Sequence, residues 1–439
     1  MSAPVNSLVT SVVERLPAPV RHAPHKVFPR HASFLLGEVA LLSFAVLVVT
    51  GLYLTWFYDA SGEPVIYDGS YEPLHGVEVS RAYASVMDIT FDRPLGSVIR
   101  QTHHWAALVF VAALVLHAMR VFFTGAFRRP RRANWVVGLV LMGLAMANGF
   151  FGLALPNDLL GGTGTRIGHA FAVSIPVIGP GVADLLFAGE FGEPASLHRF
   201  WLLHVIALPL LIVGALSVHL ALIWTRTHTQ FTDEHTARTR VVGSTGWPDY
   251  ASKTVGLSLL VASTLLAMGA TLQIAPIWIY GPFDPAAATV PAQPDWYLGW
   301  VEGALRIVPN LDVIVAGSEI PSPFFTGVLL PLVVFGVLAT WPLVEERVTG
   351  DCAEHHVAER PRDRPVRTAL GVAGLAGLTV LLAGGSHDLQ AFMLRVPIGS
   401  VTTAYRVLLV VVPVVSGLVA WSTCRALVRG ESPPHGPER

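Results

Sequence analysis

The sequence predicts an all-α, polytopic membrane protein, and three observations carry the prediction. Hydrophobic residues make up 52% of the chain and charged residues only 13%, a balance outside the range of soluble domains. Eight apolar stretches alternate with polar or proline-containing segments. Two of those stretches each carry two histidines at almost the same separation, as expected of a helix bundle that holds something at two depths.

Residues 1–32 are polar and contain Arg15, Arg21, Lys26 and Arg30 without an apolar core or a small-residue cleavage site, so they read as a cytoplasmic segment. The first span, 33–57, contains Gly37 and Gly51, fourteen residues apart. A polar, acidic segment follows, and the chain crosses back through RQTHHWAALVFVAALVLHAMR, residues 100–120. Here His103 and His117 are fourteen residues apart, roughly 21 Å along a helix and about 40° apart in direction, so they share a face. His104 points about 140° away from His117 by the same count and is set aside. After the cationic turn FRRPRRANW, the third span, 136–155, repeats the glycine pair as Gly138 and Gly152. The apolar run within 156–195 is broken by Pro176, Gly179, Pro180 and Gly181, and is expected to form short surface helices, not a span.

The fourth span carries His204 and His219, fifteen residues apart, roughly 22 Å of rise and about 60° of turn. Further spans are expected near 254–274, 324–343, 368–382 and 405–421. The predicted organisation is a four-helix bundle at 33–230, a C-terminal membrane domain at 250–428 and a short cytoplasmic tail at 429–439. Lys and Arg divide 21 to 8 between the two sides, which puts both termini in the cytoplasm. His103 and His204 then lie toward the outer face, His117 and His219 toward the inner one.

Two helices with histidines at matching depths make two bis-imidazole sites, His103 with His204 and His117 with His219. Imidazole is a common axial ligand of haem iron, and a bundle core can hold the macrocycle. Zinc would gather its ligands at one point instead of two levels. Any single intramembrane histidine can also be a lone polar residue bonded to a neighbouring helix. Arg100 and Arg120 stand three residues outside His103 and His117, placed for haem propionates or as snorkelling interface arginines. The Gly37/Gly51 and Gly138/Gly152 pairs remove side chains where a flat ring must approach, or serve ordinary small-residue packing.

The loop between the fifth and sixth spans is too aromatic to be free and is expected to fold back on the outer surface. It holds Pro294, Asp295, Trp296 and Tyr297, an acid among aromatics that can accept a substrate proton or cap a helix. With a net charge of −1 and no basic run among aromatics, nucleic acid is not an expected partner. Cys352 and Cys424 belong to no Cys-x-x-Cys-His motif, so neither a disulfide framework nor covalently attached haem is indicated.

Assembled, these residues resemble cytochrome b of the quinol:cytochrome c reductases over essentially the whole chain. The paired histidines, the two glycine pairs, Arg100 and Arg120 match that family, and Pro294-Asp295-Trp296-Tyr297 resembles its Pro-Glu-Trp-Tyr with aspartate for glutamate. Stretches such as VFPRHASFLLGE, RVFFTGAFRRPR and IGPGVADLLFAGEF look like the actinobacterial branch, whose reductase oxidises menaquinol and associates with a cytochrome aa3 oxidase. The resemblance implies two b haems, a Rieske iron-sulfur subunit and a dihaem cytochrome c as partners, and a homodimer in the bacterial plasma membrane. Quinol would be oxidised at an outer site including Gly152, Pro294, Asp295, Trp296 and Tyr297, with Asp295 and Tyr297 catalytic. One electron would go to the Rieske subunit, the other through the two haems to a quinone at the inner site, contributing to the proton gradient.

Three features depart from the family pattern. Pro156-Asn157-Asp158 stands where the family has Pro-Trp, Leu35 where b6f relatives have a haem-linking cysteine, and the C-terminus stops sooner after the eighth span than in many actinobacterial relatives. The inner quinone site has no readable motif; Ser33, Trp224, Asp249 and Lys253 are at the right face. The alternative functions are a proton-coupled secondary transporter with histidine relays, and a structural anchor subunit.

Overall fold

The structure is a computed structural model that describes residues 26–189, 191–192, 194–231, 241–287, 293–315 and 317–430. Most of the 1–32 segment and of the 429–439 tail therefore lies outside the described residues. In hydrocarbon every backbone N–H and C=O must be satisfied within its own segment, so the apolar runs close into helices. The helices in chain order are α1 (Ala32–Phe57), α2 (Arg81–Phe91), α3 (Gly96–Phe123), α4 (Arg132–Ala154), α5 (Leu159–Val173), α6 (Gly179–Phe187) and α7 (Ala195–Arg226). They continue as α8 (Gly246–Thr271), α9 (Ile277–Tyr280), α10 (Trp296–Ile307), α11 (Phe324–Thr349), α12 (Pro365–Gly384), α13 (His387–Leu394) and α14 (Ile398–Gly430).

Among the described residues eight of these, α1, α3, α4, α7, α8, α11, α12 and α14, are long and apolar enough to cross a membrane. All eight predicted spans are present. The main difference is in length: α14 starts seven residues before the expected 405 and ends nine after 421. The proline- and glycine-broken run after α4 forms α5 and α6; α6 has 9 residues, about 14 Å of helix, and cannot span. The loop after α8 folds back as α9 and α10.

In the bundle α1 packs on α3 and α4 on α7, while α8 flanks α1 and α3. Ala40, Phe44, Phe110, Ala113, Leu141, Ala145 and Ile212, drawn from all four bundle helices, form one buried layer at mid-depth. In the C-terminal half α12 pairs with α14, and α10 lies on α12. A two-residue pairing of Val27–Phe28 with Ser244–Thr245 ties the chain before α1 to the start of α8.

One local irregularity matters for the site. In α7, Leu202–Ala207 winds as a π turn, with Leu208 N–H bonded to the Leu203 carbonyl. Pro209 follows at once; it offers no N–H and its ring crowds the carbonyl four residues back, which favours the wider turn. A π turn takes up one extra residue, so the fifteen residues from His204 to His219 cover about the rise and phase of fourteen. The unequal histidine spacings of α3 and α7 are thereby levelled.

Candidate functional site: two cavities along the bundle axis

Two cavities occupy the bundle, about 280 Å³ on the predicted outer side and about 440 Å³ on the inner. Phe44, Phe110 and Ile212 of the mid-depth layer line both. His103 and His204 face each other in the outer cavity with ring centres 6.1 Å apart and planes at 74°. His117 and His219 do the same in the inner one at 6.5 Å and 73°. An imidazole nitrogen sits about 2.0 Å from a bound metal and about 1.1 Å from its own ring centre, so two axial imidazoles on one iron have centres about 6 Å apart.

The outer histidines are also prepared in tautomer. His204 Nδ1 lies 2.8 Å from the Asn148 carbonyl, which can only accept, so Nδ1 carries the proton and Nε2 keeps its lone pair. His103 Nδ1 lies 2.9 Å from Thr50 Oγ1, whose hydroxyl already donates to the Val46 carbonyl at 2.7 Å. It too is the donor, and its Nε2 is free to bind a metal.

Each predicted glycine faces one of these rings. A Cβ on Gly37 would stand 3.3 Å from His117 Cε1, and one on Gly51 3.2 Å from His103 Cε1. The corresponding distances are 3.4 Å from Gly138 to His219 and 2.5 Å from Gly152 to His204. The immediate neighbour of each glycine is therefore the edge of an imidazole, one per glycine, which explains why both spacings are fourteen. The buried guanidiniums fit the same group. Arg100 Nε and Nη2 and Arg120 Nε have no hydrogen-bond partner among the described residues. Arg120 also donates to Thr229 Oγ1 at 3.3 Å and lies 3.9 Å over the Phe34 ring. Arg100 Nη1 reaches only the Ala275 carbonyl, at 3.5 Å; buried guanidinium N–H groups left without acceptors call for an anion, and haem carboxylates at the two ends of the bundle would supply it.

Asp295 lines the outer cavity. It occupies the N-cap position of α10 but makes no capping hydrogen bond. Its carboxylate instead accepts from His104 Nε2 at 2.8 Å on Oδ1 and from the Tyr297 hydroxyl at 3.0 Å on Oδ2. Tyr297 is buried against Gly149, where a Cβ would fall 2.1 Å from the phenol oxygen. Burial, reinforced by the Asp295 charge, pushes its hydroxyl well above the usual tyrosine pKa, so it stays a hydrogen-bond donor. Gly152 also lines this cavity; Pro294 and the exposed Trp296 do not.

In the inner cavity, of the residues suggested by position, Trp224 is in the lining while Ser33, Asp249 and Lys253 are not. Ser33 bonds His31, Asp249 bonds Thr245 and Lys253 bonds Ser244. The cavity takes Lys26, Glu38, His228 and Tyr250 instead. Lys26 Nζ donates to the Trp224 carbonyl at 2.6 Å, and the Tyr250 hydroxyl donates to Glu38. Burial, with Lys26 and Arg120 nearby, lowers His228 to a pKa of about 4, so it is neutral.

Relatives at 42% identity decide the family. The cytochrome bc1 complex cytochrome b subunit of Corynebacterium efficiens is 42% identical over 412 residues, covering 94% of this chain and 76% of that protein. The same subunit of Mycobacterium tuberculosis is 42% identical over 415 residues (94% and 75%), and that of Streptomyces coelicolor 43% over 404 residues (92% and 74%). This chain belongs to the cytochrome b subunits of the bc1 complex. It is a subunit of a quinol:cytochrome c oxidoreductase, and its family binds haem b. The family model for cytochrome b(N-terminal)/b6/petB matches residues 108–282. A solved structure described as a hyperthermophilic respiratory Complex III shares the fold, with TM-score 0.66 at 18% identity over 94% of this chain and all of that one. The transporter alternative is not favoured.

Two outer-site residues escaped the sequence reading. His104 was set aside by helix phase, and it does point away from the facing histidines, but toward a carboxylate 191 residues later that no local pattern connects to it. Asp158, in the segment that departs from the family pattern, caps α5 by accepting from Gly161 N–H at 2.8 Å and lines the cavity beside Arg100. Burial pushes its carboxyl up to about 6 against the pull of that N–H and of Arg100. An acid directly after a Pro-Asn turn was the available signal.

Proposed function

We propose that this cytochrome b holds two b haems, one between His103 and His204 near the outer face and one between His117 and His219 near the cytoplasm. The single observation that carries this is the pair of facing histidine couples, 6.1 and 6.5 Å apart, each backed by glycines and ended by a buried arginine. Bound there, haem supplies one-electron transfer between two depths of the membrane. Arg100 and Arg120 hold the haem carboxylates, and Thr50 and Asn148 hold the outer imidazoles in the ligating tautomer.

The substrate at the outer cavity is a quinol, specifically menaquinol, and Asp295 accepts one of its protons while Tyr297 holds the carboxylate. Gly152 keeps the cavity open beside His204, and Pro294 and Trp296 shape the loop from outside the lining. A quinone at the inner cavity is met by Lys26, Trp224, His228 and the Glu38–Tyr250 pair. The partners are a Rieske iron-sulfur subunit, a dihaem cytochrome c, a second copy of this chain and a cytochrome aa3 oxidase. The haem bundle is the unit 33–230 and the membrane domain 250–428, in the bacterial plasma membrane with both termini cytoplasmic. A reporter inserted between residues 58 and 97 should be external and one after Arg439 cytoplasmic; finding both on one side would refute that orientation.

The haem assignment is tested by a reduced-minus-oxidised spectrum with pyridine haemochrome quantitation. The parent chain should carry two haems and His219→Leu one, with the outer haem retained. A colourless parent, or His219→Leu with two, would sink it.

A further inference from the structure

We propose that His104 is the residue that positions Asp295 for proton acceptance, an inference that rests on the reading of Asp295 as the base. His104 directly follows His103 on α3, so it leaves the helix about 100° away from the facing couple and toward the C-terminal half. There its Nε2 meets Asp295 Oδ1 at 2.8 Å, with both side chains largely buried, in the wall of the outer cavity. An ionised carboxylate only accepts hydrogen bonds, so Nε2 carries the proton and is the donor. With the Tyr297 hydroxyl on Oδ2, each carboxylate oxygen is held by one donor from a different part of the fold.

Aspartate has one methylene less than glutamate and a short reach. Held from one side only, by the neighbouring Tyr297, it would turn about its own side-chain bonds. The second donor comes from the rigid bundle helix that also carries a proposed haem ligand. The carboxylate is thus fixed relative to the bundle wall of the cavity, and each oxygen keeps a further lone pair for a substrate hydroxyl. His104 acts through Asp295 and neither takes nor gives up a proton in this role.

The test compares His104→Gln with His104→Asn in the assembled complex, with a soluble menaquinol analogue as donor and cytochrome c reduction as readout. The glutamine amide nitrogen reaches the place of Nε2, whereas the asparagine amide stops short of it. His104→Gln should keep kcat within about threefold and the parent's pH profile; His104→Asn should lose roughly 10- to 100-fold in kcat with KM and haem content unchanged. Parent-like turnover in His104→Asn overturns the proposal. So does a glutamine variant as slow as the asparagine one, or one that loses a limb of the pH profile, since the histidine would then carry the proton itself. Should His104→Asn lose haem, the infrared band of the Asp295 carboxylate, found by subtracting Asp295→Asn, decides: an unshifted band in His104→Phe, which fills the space without a donor, overturns the hydrogen bond. In an Asp295→Asn background His104→Asn should add no further loss. An additional loss there defeats positioning while leaving the base reading intact, and normal turnover of Asp295→Asn alone defeats the base reading.

Discussion

The two ends of the bundle hold their carboxylates in opposite ways. At the outer end Asp158 is buried with one arginine nearby, and burial wins, so its carboxyl sits at about 6. At the inner end Glu359 is half-buried, but it accepts from Arg364 at 2.8 Å and Arg367 at 2.5 Å and pairs with Arg128 at 2.7 Å. There burial pushes up and the arginine hydrogen bonds overcome it, holding Glu359 below its ordinary range. The outer acid is one that protons can reach at accessible pH, while the inner one is locked in its charged form as a fastener. Arg128 belongs to the loop between α3 and α4, and Glu359, Arg364 and Arg367 to the segment entering α12, so this network clasps the two halves together at the predicted cytoplasmic side. At the outer side the halves meet through neutral bonds, such as Gln101 to the Ile274 carbonyl at 2.9 Å and Trp105 to the Leu272 carbonyl at 2.7 Å, and, in the cavity wall, through Asp295 and His104. A charged lattice at the predicted cytoplasmic side contrasts with mostly neutral bonds and one acid–imidazole pair at the proposed site of proton exchange.

The contrast is broken first at Asp295. Replacing it with asparagine keeps size and most hydrogen bonding but removes the proposed base, and menaquinol-dependent cytochrome c reduction should fall by about 10²- to 10⁴-fold with haem content unchanged. Parent-like rates would reduce the residue to a structural contact. Asp295→Glu should restore a substantial part of the activity.

The two proposed haem positions differ in tolerance as well. Ala at Gly152 would put Cβ 2.5 Å from His204 Cε1, whereas at Gly138 the same atom stands 3.4 Å from His219. Gly152→Ala should therefore shift the spectrum or lower the occupancy of the outer haem, an overpacking effect of about 1–3 kcal/mol. Gly138→Ala should leave the inner haem spectrum close to the parent's. Equal effects of the two substitutions would show that the bundle relaxes around both rings.

The smallest expected effect is in pH dependence, and its sign differs between the ends. Asp158 has a folded pKa above its unfolded value of about 3.8, so its contribution to stability is full below about pH 3.8 and lost as pH rises through about 6. Glu359 is depressed, so its contribution is present above about 4.5, the unfolded value, and lost as pH falls through the folded one. In thermal unfolding of the detergent-solubilised complex, Asp158→Asn should raise stability at pH 7 and make no gain at pH 4. Glu359→Gln should lower stability at pH 7 and matter less at pH 4. Parallel pH curves for both variants would erase the distinction between the ends.

How much of this was readable beforehand follows from where each signal resides. The eight spans, the paired histidines and the glycines were legible because helix periodicity ties residues fourteen or fifteen apart to one face. The short helices after α4 were legible because proline and glycine announce them. Less could be read where a site is assembled from distant segments: Lys26, Glu38, Trp224, His228 and Tyr250 come from three parts of the chain, and only Trp224 was anticipated. The His104–Asp295 bond spans 191 residues and depends on how two halves dock, which no local pattern encodes. The π turn was missed because an ideal helix was assumed through Pro209, and the apparent mismatch of 40° against 60° between the histidine pairs was its trace.

That turn also has a consequence for how the bundle tolerates change in length. α7 contains one residue of slack between its two histidines, while α3 has none. Taking a residue out of 205–207 together with Pro209→Ala would let α7 run as a regular helix with His204 and the former His219 fourteen positions apart, still on one face. Taking a residue out of α3 between His103 and His117 would swing everything below the cut by about 100° and carry His117 off its face. The two histidine helices look alike in outline, yet only one of them can be shortened without losing its grip.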